Sequence, residues 1–271
     1  MSGVIIFAEP STIISDGMVP AAARLIGNRP DLDLETIVDV SGGDPTAFTG
    51  RLAFLRRKLS RLKTPQNIAW RRYRRFRGFR NPDFIPYPSV LSWRGFPDSI
   101  HSVPPNGGVN DRTFVSKINS LEPEVILLLG CTTIIEPELM AIPRLGVINF
   151  HCSLLPDYRG RNVLYWQAYD RADTSGVTFH TITEAIDQGS RVAADRVPIR
   201  KGWRTLACDC LDRGRALLPT VLAGITTGTL PNEGEIHNGE YYSHARFMAA
   251  DTSFAPRRGI DHNSRVVEAR E

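Results

Sequence analysis

Short unbroken apolar runs alternate along this chain with longer stretches in which apolar residues recur at helical spacing. Gly3 to Ala8 (GVIIFA) is too short for a helix and apolar on both parities, as a parallel strand buried on two faces is. A turn over Pro10 to Asp16, an Ala-rich helix from about Met18 to Ile26 and a second strand at Leu32 to Val40 follow. A helix over Thr113 to Ser120 leads into another buried run, Val125 to Gly130 (VILLLG). Pro137 starts a short helix that ends before Pro143, and Gly146 to Phe150 reads as the next strand. A helix from Asn162 to Tyr169, its start capped by Asn162 or the neighbours of Arg161, precedes strands at 176 to 182 and 191 to 199. The last regular element is a helix carrying Leu206, Leu211, Leu217, Leu218 and Val221 on its apolar positions and ending at Gly224. This alternation predicts an α/β fold with a doubly wound, mostly parallel sheet.

Within that pattern, Val147 to Gly160 (VINFHCSLLPDYRG) stands apart, because polar side chains interrupt a buried strand. Asn149 and His151 are two residues apart, so a strand sends both to one face. They lie near the strand's carboxyl end, where open α/β sheets place their ligands. Downstream, Gly176-Val177-Thr178-Phe179-His180 reads as another strand, and Asp187 precedes Gly189 in a turn. His180 shares strand parity with Thr178 and Ile182, which leaves it facing the site or packing.

Charge changes the picture in one segment. The formal net charge is +4, yet residues 51–80 hold twelve Lys and Arg with no Asp or Glu, leaving 21 basic against 29 acidic residues elsewhere, a net of −8. Leu52, Leu55, Leu59 and Leu62, then Trp70, Tyr73, Phe76 and Phe79, recur at near-helical spacing within it. Two short helices docking an apolar stripe, or a surface for a phosphate-bearing substrate, nucleic acid or anionic membrane, both fit this pattern. Residues 81–110 read as loop, with a short strand near Ser99 to Val103. The four cysteines (Cys131, Cys152, Cys208, Cys210) follow no zinc spacing, so free thiols and no metal are expected. No apolar run approaches the roughly 20 residues of a membrane-spanning helix, and the N-terminus lacks a basic head, so the expectation is a cytoplasmic protein.

The combination N-x-H-x-S-L-L-P-x-x-x-G over residues 149–160, then G-V-T-x-H at 176–180 and D-x-G at 187–189, resembles the folate-dependent formyltransferase family. That family includes sugar-nucleotide N-formyltransferases, methionyl-tRNA formyltransferases and glycinamide ribonucleotide formyltransferases. The resemblance runs with matching order and spacing from about Leu121 to Ile199, and more loosely back to residue 3. It implies a Rossmann-like formyltransferase core and a catalytic trio of Asn149, His151 and Asp187, with His180 in support. It also implies 10-formyltetrahydrofolate as co-substrate, held by the loop Cys131, Thr132, Thr133, Ile134 and Ile135 and by Ile186. The phosphate loop of the purine branch has no counterpart in Glu9-Pro10-Ser11-Thr12, which argues against glycinamide ribonucleotide as acceptor.

Formyl transfer needs a neutral amine, donors for the charge that builds on the formyl oxygen, and a proton for the departing nitrogen. An amide or imidazolium donor is worth roughly 3 to 4 kcal/mol in comparable acyl transfers, and a neighbouring carboxylate orients the imidazole and relays protons. The reading is an N-formyltransferase acting on a primary amine, an amino sugar on a nucleotide being preferred, with Arg159 and Arg161 for the diphosphate and Tyr158, Trp166 and His180 lining the acceptor site. Methionyl-tRNA is the alternative acceptor, and a non-catalytic folate- or nucleotide-binding protein the alternative class. A hydrolase releasing formate is a further possibility. The expected organisation is a catalytic domain over 1–204, with the basic insertion at about 45–100, and a C-terminal helix and short extension over 205–271. Tyr241, Tyr242, His244 and Phe247 offer a stacking surface or the seam of a homodimer.

Overall fold

A computed structural model describes residues 1–9, 12–40, 101–102, 108–170, 172–199 and 203–242. The expectations for the basic insertion and for His244 and Phe247 lie outside the described residues. The elements in chain order are β1 (Ser2–Ala8), α1 (Ile13–Gly27), β2 (Leu32–Asp39), β3 (His101–Ser102), α2 (Arg112–Asn119), β4 (Val125–Leu128), α3 (Pro137–Met140), β5 (Val147–His151), β6 (Arg159–Gly160), α4 (Val163–Tyr169), β7 (Thr174–Thr181), β8 (Gly189–Pro198), α5 (Trp203–Thr227), β9 (Glu235–Ile236) and β10 (Tyr241–Tyr242).

Eight strands form one sheet in the order β3-β2-β1-β4-β5-β7-β8-β9. Pairing is parallel from β3 to β5 and antiparallel from β5 to β9. The parallel half needs crossover helices and is therefore covered on both faces, which is why its strands are apolar on both parities. Val4, Ile6 and Ala8 of β1 join Val125 and Leu127 of β4 in a core shared with α1 and α5, while Ile5, Phe7, Ile126 and Leu128 point into a second core with Phe114 and Ile118 of α2 and Leu139 of α3. The same alternation runs through β5: Ile148 and Phe150 enter the first core, and Val147 shares its parity with Asn149 and His151 on the other face.

Two local features differ from the sequence reading. Helix α1 begins at Ile13, five residues earlier, because the Thr12 hydroxyl accepts from the Ser15 amide (3.1 Å) and closes the first turn. Asn162 opens α4 through its backbone carbonyl, which accepts from Tyr165 (2.9 Å) and Trp166 (3.1 Å); with φ at 57°, its side chain makes no cap. The expected boundary at 204/205 falls in the first turn of α5, and Leu206, Cys210, Leu211, Leu218, Val221, Leu222 and Ile225 of that helix belong to the same core as the sheet. Among the described residues no helix is long and apolar enough to cross a membrane, and no cluster of His, Cys, Asp and Glu is suited to a metal.

Candidate active site

The antiparallel register of β5 and β7 sets Asn149 opposite His180 and His151 opposite Thr178. Directly opposed residues share a face, so the register alone brings the two histidines and the amide together. His180 is fully buried; its Nδ1–H donates to the Thr181 carbonyl (2.9 Å), which leaves Nε2 to accept from Asn149 Nδ2 (3.2 Å). Burial holds its pKa down at about 4, against the pull of Asp187, so the ring is neutral at ordinary pH. The second N–H of Asn149 makes a longer contact, 3.4 Å, to Asp187 Oδ1. One donor of the amide is thus anchored, and the other sits on a bond weak enough to be redirected to a substrate oxygen.

His151 donates from Nε2 to the Tyr158 carbonyl (2.8 Å), and its Nδ1 lies 3.7 Å from Asp187 Oδ1. The ring is therefore held by one oxygen and faces a carboxylate with the other nitrogen, so a proton at Nδ1 makes an imidazolium between two acceptors. Asp187 completes the group from the β7–β8 connection. Its Oδ2 accepts from the Gly160 amide at 2.6 Å and its Oδ1 lies 3.8 Å from His180 Nε2. Asp187 adopts φ 50°, a left-handed conformation that Asp tolerates better than most residues. Gly189, two residues on, has φ 122° and runs so close to Thr181 that a Cβ would meet its carbonyl oxygen at 2.2 Å. The D-x-G spelling is the local requirement of this turn.

The turn after β5 explains the S-L-L-P part of the pattern. The buried Ser153 hydroxyl donates to the Asp157 carbonyl (2.6 Å). Thr178 donates to the Ser153 carbonyl (2.8 Å) and accepts from the Leu155 amide (3.1 Å). Gln167 donates to the Cys152 carbonyl (2.8 Å) and Arg191 to the Leu155 carbonyl (2.7 Å). These bonds hold the Tyr158 carbonyl and the Gly160 amide where His151 and Asp187 need them. Sequence reading missed both groups, since a backbone carbonyl and amide carry no side-chain signature; only the Gly at 160 hints at a close approach.

The remaining site candidates divide into those that face outward and those engaged internally. Ile134 is 69% exposed and Ile186 is 40% exposed, on the two loops expected to hold the pteridine. Two large apolar side chains left in solvent on these loops fit a flat heteroaromatic ring. Thr132 donates to Glu9, its carbonyl accepts from Arg161 Nη2 (2.6 Å), and the Thr133 carbonyl accepts from the Cys131 thiol (3.6 Å). Ile135 is a correction: it is buried in the second core with Leu139. Burial pushes the Cys131 thiol up to about 12, which keeps it a neutral packing group.

Three of the expected acceptor contacts are likewise corrected. Trp166 is buried against Tyr165, Tyr169 and Tyr242, with ring centroids 5.3, 5.5 and 5.2 Å away, and cannot wall a binding site. His180 is sealed behind Asn149. Arg159 gives its guanidinium to protein acceptors, described below. Tyr158 stacks on Tyr242 at 5.1 Å and borders an open groove of about 380 Å³ with Asp157, Asp173 and Glu240, a lining that repels a diphosphate. Arg161 remains exposed.

Residues 100–222 match the family model described as formyl transferase. The methionyl-tRNA formyltransferase of Clostridioides difficile (strain 630) is 33% identical over 140 residues, 51% of this chain and 45% of that protein. The chain thus spans less than half the length of the curated relatives it matches. A sugar N-formyltransferase from Shewanella sp FDAARGOS_354 superposes with a TM-score of 0.61 at 17% identity, over 92% of this chain and 79% of that one. A sugar 3N-formyl transferase solved in the presence of dTDP and 5-N-formyl-THF gives 0.57 at 15% identity, over 90% of this chain and 70% of that one. Over residues 100–222 the chain therefore resembles the formyl transferase family in sequence, and its described residues carry the formyltransferase fold.

Proposed function

We propose that this protein is an N-formyltransferase that moves a formyl group from 10-formyltetrahydrofolate to a primary amine, most fittingly an amino sugar carried on a nucleotide. The observation that carries the reading is the convergence of Asn149, His151 and Asp187 at the carboxyl end of β5, with Asp187 Oδ1 3.4 Å from the Asn149 amide nitrogen and 3.7 Å from His151 Nδ1, and with His180 fixing the amide from behind. When bound, the folate supplies a formyl carbon on a nitrogen that can leave. In this reading the second N–H of Asn149 and a proton on His151 Nδ1 meet the charge that builds on the formyl oxygen. Asp187 orients His151 and takes up the proton that the amine loses as its new C–N bond forms, and that proton passes to the departing nitrogen. Aimed donors in a half-buried site are worth roughly 3 to 4 kcal/mol each in comparable acyl transfers.

Support for an amino-sugar acceptor comes from the sugar N-formyltransferases among the fold neighbours and from the net charge of −8 outside residues 51–80, which disfavours a long polyanion. Methionyl-tRNA is the second reading, favoured by the identity of the sequence relatives and by the twelve basic residues at 51–80. Both are separated by incubating the protein with 10-formyltetrahydrofolate and either dTDP- and UDP-linked amino sugars or methionyl-tRNA, and scoring the gain of one formyl group by mass spectrometry. Formylation of an amino sugar is expected. A higher rate on methionyl-tRNA than on every sugar tested overturns the acceptor assignment.

A further inference from the structure

The guanidinium of Arg159 is fully engaged. Nε and Nη2 both donate to the Ile186 carbonyl (3.0 and 2.7 Å), and Nη1 donates to the carbonyl of Asn238 (2.9 Å) with a longer contact to Gly239 (3.4 Å). With its amide oxygen turned to the guanidinium, Gln188 accepts from Nη2 and Nη1 at 3.0 and 3.1 Å. An Arg side chain has five N–H donors, and these contacts use all of them. Ile186 and Gln188 are the two neighbours of Asp187, so the fork grips the catalytic loop on either side of its carboxylate.

The backbone of β6 makes the same connection. Gly160 N–H donates to Asp187, while the flanking amides of Arg159 and Arg161 donate the other way, to the carbonyls of Glu240 (3.1 Å) and Tyr242 (2.9 Å). Segment 238–242 is pressed against this strand: Gly239, with φ 88°, passes so near Pro156 that a Cβ would meet its carbonyl oxygen at 2.1 Å.

We propose that Arg159 is a positioning residue, a strap that ties the loop bearing Asp187 to segment 238–242, rather than a contact to the acceptor. What Asp187 is placed for rests on the formyltransferase reading; the strap itself does not. Two consequences follow. Asp187 is held from β6 and from the fork together, so its placement depends on a segment distant in sequence. Arg159 also has no donor left for a phosphate, which leaves Arg161 as the exposed cation of the pair.

The test compares wild type, Arg159→Ala and Arg159→Lys by hydrogen exchange on the unliganded full chain, and by steady-state kinetics with 10-formyltetrahydrofolate and a dTDP-linked amino sugar. Exchange in peptides covering 158–161 and 184–189 is expected to speed up on the order of tenfold in Arg159→Ala, and less in Arg159→Lys, which keeps the charge but not the fork. The kinetic expectation is a fall in kcat of roughly 10- to 100-fold with the acceptor's KM within about twofold, the signature of a misplaced catalytic group. Should Arg159→Ala fail to fold, Gln188→Leu removes one acceptor from the fork and is expected to speed exchange in the same peptides. Unchanged exchange in the folded variants overturns the strap whatever the activity, as does a KM effect that exceeds the kcat effect. Faster exchange in a protein that transfers no formyl group counts against the functional reading alone.

Discussion

Two loops leave the carboxyl ends of adjacent parallel strands, and they are built in opposite ways. The turn after β5 is strapped at almost every residue by the buried Thr178 of β7 and Gln167 of α4 and the half-buried Arg191 of β8, together with its own buried Ser153. The loop after β4 is held mostly by solvent-exposed contacts, Thr132 donating to Glu9, its carbonyl accepting from Arg161 (2.6 Å), and Asn110 donating to the Ile134 carbonyl (2.9 Å) and accepting from the Glu136 amide (3.1 Å), and it leaves the Ile134 side chain in solvent. The difference matches the roles that the proposed function gives the two loops. Charge stabilisation is geometric, so groups that perform it must be fixed before substrate arrives. Binding a flat, largely apolar ring would ask instead for exposed apolar surface, which Ile134 on the loop after β4 offers.

The sharpest way to break the comparison is at the fixed side. Asn149→Ala and Asp187→Ala should each lower formyl transfer about 100-fold or more while leaving the fold intact, as circular dichroism and thermal melting would confirm. A loss below about tenfold in both would mean that the convergence at β5 is structural.

Acid tests the same side through His180. Its folded pKa, about 4, lies below the ordinary 6.5, so the unfolded chain binds the proton first and stability contributed by the neutral ring is lost as pH falls from 6.5 toward 4. Urea midpoints of wild type should fall across that window with a slope of at most about 1.4 kcal/mol per pH unit from this group, and His180→Asn should flatten the slope. Equal slopes in the two proteins would contradict a neutral anchoring histidine.

Thr178→Val removes one strap and leaves the Leu155 amide without its partner, for an expected cost of about 1 to 3 kcal/mol in stability and a fall in kcat of about the same free energy or less. The smallest effect belongs to the open side: Ile134→Ser should raise the KM for 10-formyltetrahydrofolate several-fold, roughly the 1 to 2 kcal/mol of a part-buried apolar side chain, with kcat unchanged. A kcat effect there would show that the two loops are not separable in role.

How much of this was legible in the sequence follows the same division. The strands of the parallel half announced themselves, because burial on both faces demands unbroken apolar runs such as VIIF and VILLL. Asn149 and His151 were legible as interruptions of such a run and Asp187 through the D-x-G turn that carries the family resemblance; the strand alternation Val177-Thr178-Phe179-His180 held the clue to His180, but only the register with β5 shows that it meets Asn149 and not a core neighbour. Arg159 was misread from sequence, since an arginine two residues from another gives no sign of which is engaged by backbone carbonyls contributed from residues 186 and 238. Trp166 was misread for a related reason: an aromatic in a short helix just past the motif looks like a binding wall until Tyr242 closes over it. Long-range partners decide these cases, and they are absent from any local pattern.

The central proposal is that this arrangement transfers a formyl group, with a donor on His151 meeting the charge that builds on the formyl oxygen. The most direct measurement follows tetrahydrofolate and formylated amine together, in one reaction, for wild type and His151→Ala. The account predicts equimolar appearance of the two products with wild type and a rate lower by about 100-fold or more in the variant, with 5-formyltetrahydrofolate binding retained. Formate in place of formylated amine, or a His151→Ala rate close to wild type, would contradict it.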